Sequence, residues 1–446
     1  MSRSHNVHLT SGPITPQLIR LCLPLLAANV LQKLYNSIDS LVVAYYLGNN
    51  AFAALGVAES VMNLFIFAIT GACMGASVLT ARFYGEKNFA RLRQQIYVTT
   101  VLIGGFTLAG VLLGLFFLPQ LLHLIQTPAE LYGDVSTYLR CVLVGMIFTF
   151  TYNLLASTLR AVGNTRTALY FLLISLVYNL VCDWFLVSVV KMGIFGTALA
   201  TATAQLLSTV LCLLYIQKNQ PFLRVGREDM KLSMSMIRET SGYSVIAALQ
   251  QSSLYLGKLM VQSAVNGLGT AAISGFTAAT RVENFIQAFG ISGCESISIF
   301  VSQNKGAKED KRALEGFLKG GALVIGMGMF FSAALVLGGN LFVTIFLGAD
   351  EAAARILGGG YLQLLGWFYF LSFTGHAYVG HFRGVGRMKV TFWGTTTQIV
   401  VRVIGTYLLV KAMGLNAVAL ATGIGWIVIV LFHTCCFLWE RPFKKH

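Results

Sequence analysis

About a dozen stretches of twenty to thirty mostly apolar residues follow one another along the chain. They lie near positions 17–47, 52–82, 94–118, 131–157, 166–190, 194–216, 240–263, 272–302, 316–347, 355–381, 388–411 and 415–439. A hydrocarbon core of ~30 Å needs about 20 such residues per spanning helix, so each stretch can cross a bilayer. Lipid offers no partner to backbone N–H and C=O groups, which limits a spanning chain to helices or a closed barrel. These stretches are too long for barrel strands and lack their alternating pattern. An all-α membrane protein of twelve transmembrane helices is expected. The composition agrees: 56% of the 446 residues are hydrophobic and only 11% are charged, against about 25% charged in a soluble domain. The polar start, Met1 to Pro16, runs into the first span with no A-x-A-type site after it, so no signal peptide is expected.

Charge sets the orientation, because Lys and Arg in short loops mark the cytoplasmic side. Arg82, Lys87, Arg91 and Arg93 fall in one loop, and Arg160 and Arg166 in the next but one. The same alternation continues through residues 217–238, 303–319 and 383–389 to the basic C-terminus. The intervening loops, such as "GNNA" at 48–51 and "NGLGT" at 266–270, are nearly uncharged. Both termini are therefore expected inside, in the plasma membrane, and the formal net charge of +15 is mostly this bias. No basic patch is interleaved with aromatics, so a nucleic-acid partner is not expected. The eight cysteines lie inside spans without C-x-x-C spacing or a zinc-like histidine pattern, and read as small apolar fillers.

The chain is written twice. "LRAVGNTRTA" at 159–168 returns as "FRGVGRMKVT" at 382–391, and "MGIFGTALAT" at 192–201 as "MGLNAVALAT" at 413–422. Each half holds six spans, an even number, so the two halves enter the membrane in the same orientation. Repeats of this kind are related by an axis along the membrane normal. The expected organisation is an N-lobe over 1–216, a cytoplasmic linker over 217–238 and a C-lobe over 239–446. With "LPLLAANVLQKLYNSIDSLVVAYYLG" in the first span, "YNLVCDWFLV" in the fifth, "GTALATATAQ" in the sixth and the Arg-x-x-Gly turns after spans 4 and 10, the pattern resembles the multidrug and toxic compound extrusion (MATE) family over essentially the whole chain. That resemblance implies a V-shaped pair of pseudo-symmetric six-helix lobes. It also implies export of organic compounds in exchange for H⁺ or Na⁺.

An ionisable group inside a span costs at least ~2.5–3.5 kcal/mol, so each one needs a reason. Asp39, Asn179, Asp183 and Thr201 can share one level in the outer half of the first lobe, with Asn179 one turn from Asp183 on a single face. Two acids with an amide oxygen and a hydroxyl offer hard oxygen ligands for Na⁺, or a carboxyl pair sharing a proton. The alternative is that both acids merely bond to polar neighbours and hold helices together. The resemblance implies that these four positions form the family's N-lobe cation site. By the repeat, the counterparts of Asp39, Asn179 and Asp183 are Gly257, Arg402 and Thr406, and only Thr201 keeps its type, as Thr422. A scaffold role would call for the acids in both lobes.

The second lobe carries Lys258, Arg281, Glu283, Glu295, His376, His381 and Arg402 in its spans. The resemblance implies an acid in span 7 of some relatives, where this chain has Gln250 and Gln251; both are candidate cavity residues, with Glu283, His376 and Arg402. Arg402, Glu283 and Lys258 can form a buried charge network, either binding substrate or purely structural. His376 and His381, five apart, do not make a convincing metal pair, though either could relay protons. Tyr35, Asn36, Glu59, Asn63 and Tyr152 are candidate cavity residues or interhelical hydrogen-bond partners. Pro24, the one proline inside any span, is expected to kink span 1 and let it bend. The expected function is a secondary antiporter that exports amphipathic, cationic organic compounds by lobe rocking. No resident cofactor or metal is expected, the coupling ion being H⁺ or Na⁺. A small organic substrate and membrane lipid are the expected partners, and the chain is expected to be a monomer. No Walker loop, G-x-S-x-G or H-E-x-x-H set points to an enzyme. A lipid-linked oligosaccharide flippase is the alternative, kept open by Arg281 and Arg402.

Overall fold

The computed structural model describes residues 9–347 and 351–439, with residues 35–39 described by backbone alone. Among the described residues there is no strand. α1 (Ile14–Gly85) is two spans in one: its backbone leaves helical geometry at Gly48, with φ 82° and ψ −177°. Left-handed φ of that kind favours glycine, so the nearly uncharged loop at 48–51 shrinks to a single turning residue. The helix then continues as α2 (Phe89–Phe116), a short α3 (Leu118–Leu124), α4 (Tyr132–Ala161) and α5 (Thr165–Trp184), which ends in a π-helical turn, Phe185–Val189. After it come α6 (Ile194–Asn219), α7 (Met234–Asn266), α8 (Thr270–Gly306) and α9 (Asp310–Thr344). The last four are α10 (Ala352–Gly366), α11 (Tyr369–Gly384), α12 (Met388–Met413) and α13 (Leu415–Trp439).

Nine described segments are long and apolar enough to cross a membrane, and α10 with α11, bent by 55°, makes a tenth. α7 and α12 complete the expected twelve. They are long enough but more polar, carrying Gln250, Gln251 and Lys258 on one and Gln398 and Arg402 on the other. Pro24, expected to kink span 1, is buried inside α1, and the backbone leaves helical φ/ψ at Gly48.

The repeat is visible in the backbone. After α4, Gly163 (φ 83°) donates to Arg160 O at 2.9 Å and Asn164 N to Leu159 O at 2.9 Å. After α11, Gly386 (φ 84°) donates to Arg383 O at 2.9 Å and Arg387 N to Phe382 O at 2.7 Å. Both turns cap a helix with a left-handed glycine and so satisfy its last carbonyls. The recurring Arg-x-x-Gly motif is thus a helix stop.

The described residues form two compact units, one within residues 27–248 and the other of residues 9–26 with those of 249–439. The first helical half-span therefore packs with the second unit, and the segment 217–238, expected as a linker, packs with the first. In the first unit one apolar cluster is built on α1, α2, α4 and α6 around Leu55, Leu139, Leu143 and Met146. A second, around Phe83, Leu92, Leu159 and Cys212, takes in Leu223 and Met236. The core of the second unit holds Tyr361, Tyr369, Phe373 and Phe382, all 0% exposed. Small residues let backbones meet there: a Cβ on Gly358 would lie 2.6 Å from Gly275 O, so α8 and α10 touch backbone to backbone. That is the packing of helices in lipid, where close approach replaces a hydrophobic driving force.

Candidate functional site

α5 is apolar on its outer face and polar within. Val177, Val181 and Trp184 are exposed, whereas Ser175, Asn179, Asp183 and Val187 are buried at every fourth residue. Asn179 and Asp183 are each 1% exposed, so the amide and the acid do share one inward stripe, as their spacing predicts. Ser175 Oγ donates to Ala204 O at 2.8 Å on the antiparallel α6, which fixes the register of the pair. Counting one turn at a time, Asn179 comes level with Ala200 and Thr201, and Asp183 with Gly196 and Thr197. A Cβ on Gly196 would lie 3.2 Å from Leu186 Cβ, in keeping with this register. Thr201 is half-buried.

Thr197 was not singled out by sequence reasoning. It is 0% exposed, and its hydroxyl has no hydrogen-bond partner among the described residues. The repeat carried the signal: Thr197 corresponds to Val418, also 0% exposed. Valine fills the same space in the other unit, so packing alone does not require the hydroxyl. Directly after Asp183 the helix widens into the π turn Phe185–Val189, whereas α12 runs on as α-helix to Met413. Single π turns inside helices are frequent at functional sites. Asp39, Tyr35 and Asn36 lie on helical backbone, but their side chains are outside the described residues.

The remaining candidates separate into groups. Glu59 and Asn63 are half-buried, one turn apart on the second leg of α1. Tyr152 packs against the Leu155–Leu159–Cys212 cluster. Gln250 is a buried connector: it donates to Thr395 Oγ1 at 2.7 Å and Thr391 O at 3.2 Å, and accepts from Arg383 at 3.0 Å. Gln251 beside it is half-buried. Glu283 accepts from Tyr361 OH at 2.7 Å, while Tyr369 OH donates to the Glu283 carbonyl at 3.4 Å. Arg402 is half-buried and its Nε has no hydrogen-bond partner among the described residues. The two histidines have different surroundings. His376 Nδ1 lies 2.8 Å from Ser372 O, and the His381 ring lies 4.3 Å from that of Phe317. No cluster of three potential metal-binding side chains occurs among the described residues.

Twelve spans in two repeats, with a buried amide–acid stripe in only one of them, fit a polytopic membrane transporter. The MatE family model matches residues 24–185 and again residues 247–408. The chain belongs to the MatE family, whose members are transporters and not enzymes. Both ends of the second match are displaced by 223 residues from the first, the register that pairs Asn179 with Arg402 and Asp183 with Thr406. A second model, lipid II flippase MurJ, matches residues 127–267. The probable multidrug resistance protein YpnP of Bacillus subtilis is 26% identical over 97% of this chain and 96% of its own length. The multidrug export protein MepA of Staphylococcus aureus is 20% identical over 96% and 93%. Among solved structures, an outward-facing multidrug resistance MATE transporter of the MOP superfamily superposes with a TM-score of 0.90 at 18% identity, covering 100% of both chains. A MOP superfamily transporter from Pyrococcus furiosus gives 0.89 at 19%, again over 100% of both. At those identities the likeness is one of fold.

Proposed function

We propose that the chain is a secondary antiporter of the plasma membrane that exports amphipathic organic compounds, and that Asp183 with Asn179 forms the cation-coupling site. One observation carries the reading: an acid and an amide, one turn apart and both buried, face α6 in the first repeat and are replaced by Thr406 and Arg402 in the second. Keeping a carboxylate at that depth costs several kcal/mol. The cost is met where the charge is used, and the twin helix shows that the fold does not demand it.

Asp39, from the first span, supplies the second carboxylate of the set, and Thr201 and Thr197 supply hydroxyl oxygens from α6. With Asn179 these are hard oxygen donors of the type Na⁺ takes. The same two acids brought close would share a proton, since like charges disfavour joint ionisation. Filling the site from outside neutralises it, emptying it inside restores the charge, and alternating access couples that cycle to substrate export. The multidrug names of the relatives support an organic substrate. The MurJ match over 127–267 favours the flippase alternative only over that part of the chain.

The test is transport of a cationic dye, read as efflux from whole cells or uptake into inside-out vesicles and driven separately by a pH gradient and by a sodium gradient. Asp183→Asn should abolish export under whichever gradient drives the parent. Export by Asp183→Asn at the parental rate would reject the assignment.

A further inference from the structure

The two repeats are entered by different lead-in segments. Ile19–Arg20 of α1 returns as Ile237–Arg238 of α7, and by that offset Leu232 corresponds to Ile14. At the start of α1 the apolar side chains are tucked in, with Leu9 1% and Ile14 7% exposed. At the start of α7 they are turned out: Met230 is 50%, Leu232 52% and Met234 76% exposed. The strap that carries them, residues 220–233, is held to unit 1 by other groups. Arg93 Nε on α2 donates to Asp229 Oδ2 at 2.7 Å, and Gln94 Nε2 donates to Lys231 O at 3.0 Å. Phe222 packs on Tyr84 and Phe89, with ring centroids 5.6 and 5.3 Å away, and Leu223 is buried. Cations flank the apolar edge. Lys218, Arg224, Arg227, Lys231 and Arg238 are all exposed. Arg227, Lys231 and Arg238 have no ion pair among the described residues. Of the acids in the strap and the first turns of α7, Asp229 is paired with Arg93 and Glu239 with Arg91, which leaves Glu228. Arg238 lines an open cleft of about 470 Å³ with Met234, Ser235 and Glu239.

We propose that residues 220–238 form a membrane-surface strap that binds anionic phospholipid of the inner leaflet. Met230, Leu232 and Met234 enter the boundary between headgroups and acyl chains, while Arg227, Lys231 and Arg238 meet the phosphates. Position and charge both support this occupant. The strap runs from the end of α6 at Asn219 to the start of α7 at Met234. Both helices span the bilayer, so the strap lies at its surface, on the side that basic loops mark as cytoplasmic. Apolar side chains exposed there gain by entering the acyl boundary, and the anionic cytoplasmic leaflet attracts basic segments beside a span. Each cation near such a surface strengthens binding about fivefold, so three favour an anionic over a neutral leaflet by about a hundredfold. The inference stands apart from the coupling role proposed for Asp183.

The experiment compares hydrogen exchange of the full-length protein in two kinds of nanodisc. One is phosphatidylcholine alone, and in the other about a quarter of the lipid is phosphatidylglycerol. Exchange of residues 221–233 is read relative to the turn at 307–309 after α8, which corrects for the lower pH at an anionic surface. In the parent, phosphatidylglycerol should slow the strap about tenfold, and about 0.5 M sodium chloride should remove most of that protection. Arg227→Gln/Lys231→Gln should exchange at the phosphatidylcholine rate in both discs. Leu232→Ser/Met234→Ser, which keeps every charge, should lose the protection as well. Equal exchange of the parent strap in the two discs would overturn the proposal, whatever the variants do. So would protection that both double variants retain. Inorganic phosphate added to the phosphatidylcholine discs should leave the strap unprotected; if it protects as phosphatidylglycerol does, the site takes a soluble anion and the lipid assignment fails.

Discussion

α5–α6 and α12–α13 are the same hairpin written twice, and they differ where charge is concerned. The stops before them match, with left-handed glycines at 163 and 386 closing the preceding helix by the same pair of backbone bonds. Buried positions also match: Thr197 and Val418 are both 0% exposed. Along the inward stripe, however, Asn179 and Asp183 correspond to Arg402 and Thr406 of the second repeat, and the π turn after Asp183 has no equivalent in α12. Features of the scaffold are shared by the twins; features of the chemistry belong to one. Substitutions made in pairs can test that division.

The largest contrast should come from the acid. Asp183→Asn should lower coupled efflux at least ~100-fold, equivalent to about 2.8 kcal/mol of coupling. Thr406→Val, at the twin position, should leave efflux within about twofold. It removes a buried hydroxyl that has no hydrogen-bond partner among the described residues, a change that is close to neutral when the shape is kept. Comparable losses from both would break the comparison.

Next comes Thr197→Val, which installs the twin's own solution. Its fold should be retained, because Val418 fits the equivalent space. Its half-saturating cation concentration should rise roughly tenfold, the loss of one oxygen donor worth about 1.4 kcal/mol. An unchanged cation dependence would return Thr197 to the scaffold.

These contrasts show how much of the site could be read from sequence. Hydropathy placed the twelve spans because a bilayer imposes one length and one polarity on all of them. The Asn179–Asp183 stripe was legible because four residues make one turn and the surroundings are oily. Thr197 was not, since threonine is common in spans and only its burial without a partner distinguishes it. The connector role of Gln250 was equally hidden, because its partners Arg383 and Thr395 are more than 130 residues away in sequence. Nor did the sequence betray that residues 9–26 pack with the second unit. Arg312 is one of the ties, its guanidinium donating to Leu9 O, Gly12 O and Gln17 Oε1 at 3.0, 2.8 and 2.8 Å.

Where the twins agree, substitutions should cost the same. Gly163→Ala and Gly386→Ala each force a Cβ into the left-handed region, at about 1 kcal/mol apiece. Both should lower the melting temperature alike and leave the ion dependence of transport untouched. A large difference between them would mean that one turn moves during the cycle.

The smallest effect concerns the segments that lead into the first helix of each repeat. At the start of α1, Arg312 holds the chain through neutral acceptors, the carbonyls of Leu9 and Gly12 and the Gln17 amide. Before α7, the tie includes a carboxylate: Arg93 Nε donates to Asp229 Oδ2 at 2.7 Å, and Gly226 N to the same oxygen at 2.9 Å. Desolvation pushes the Asp229 pKa upward, but the Arg93 hydrogen bond, the Gly226 N–H and the charges of Arg93 and Lys231 outweigh it and hold it below its ordinary 3.8. A depressed folded-state pKa stabilises the tie above that ordinary value, and the stabilisation is lost as pH falls through the lower folded value. Acid should therefore loosen residues 221–233 and leave residues 9–17 as they were, which hydrogen exchange at pH 7 and near pH 3 can compare after correction for intrinsic rates. Asp229→Asn should loosen the same segment at pH 7 by no more than about 1 kcal/mol. Equal acid sensitivity of the two segments would mean that the carboxylate is not what distinguishes them.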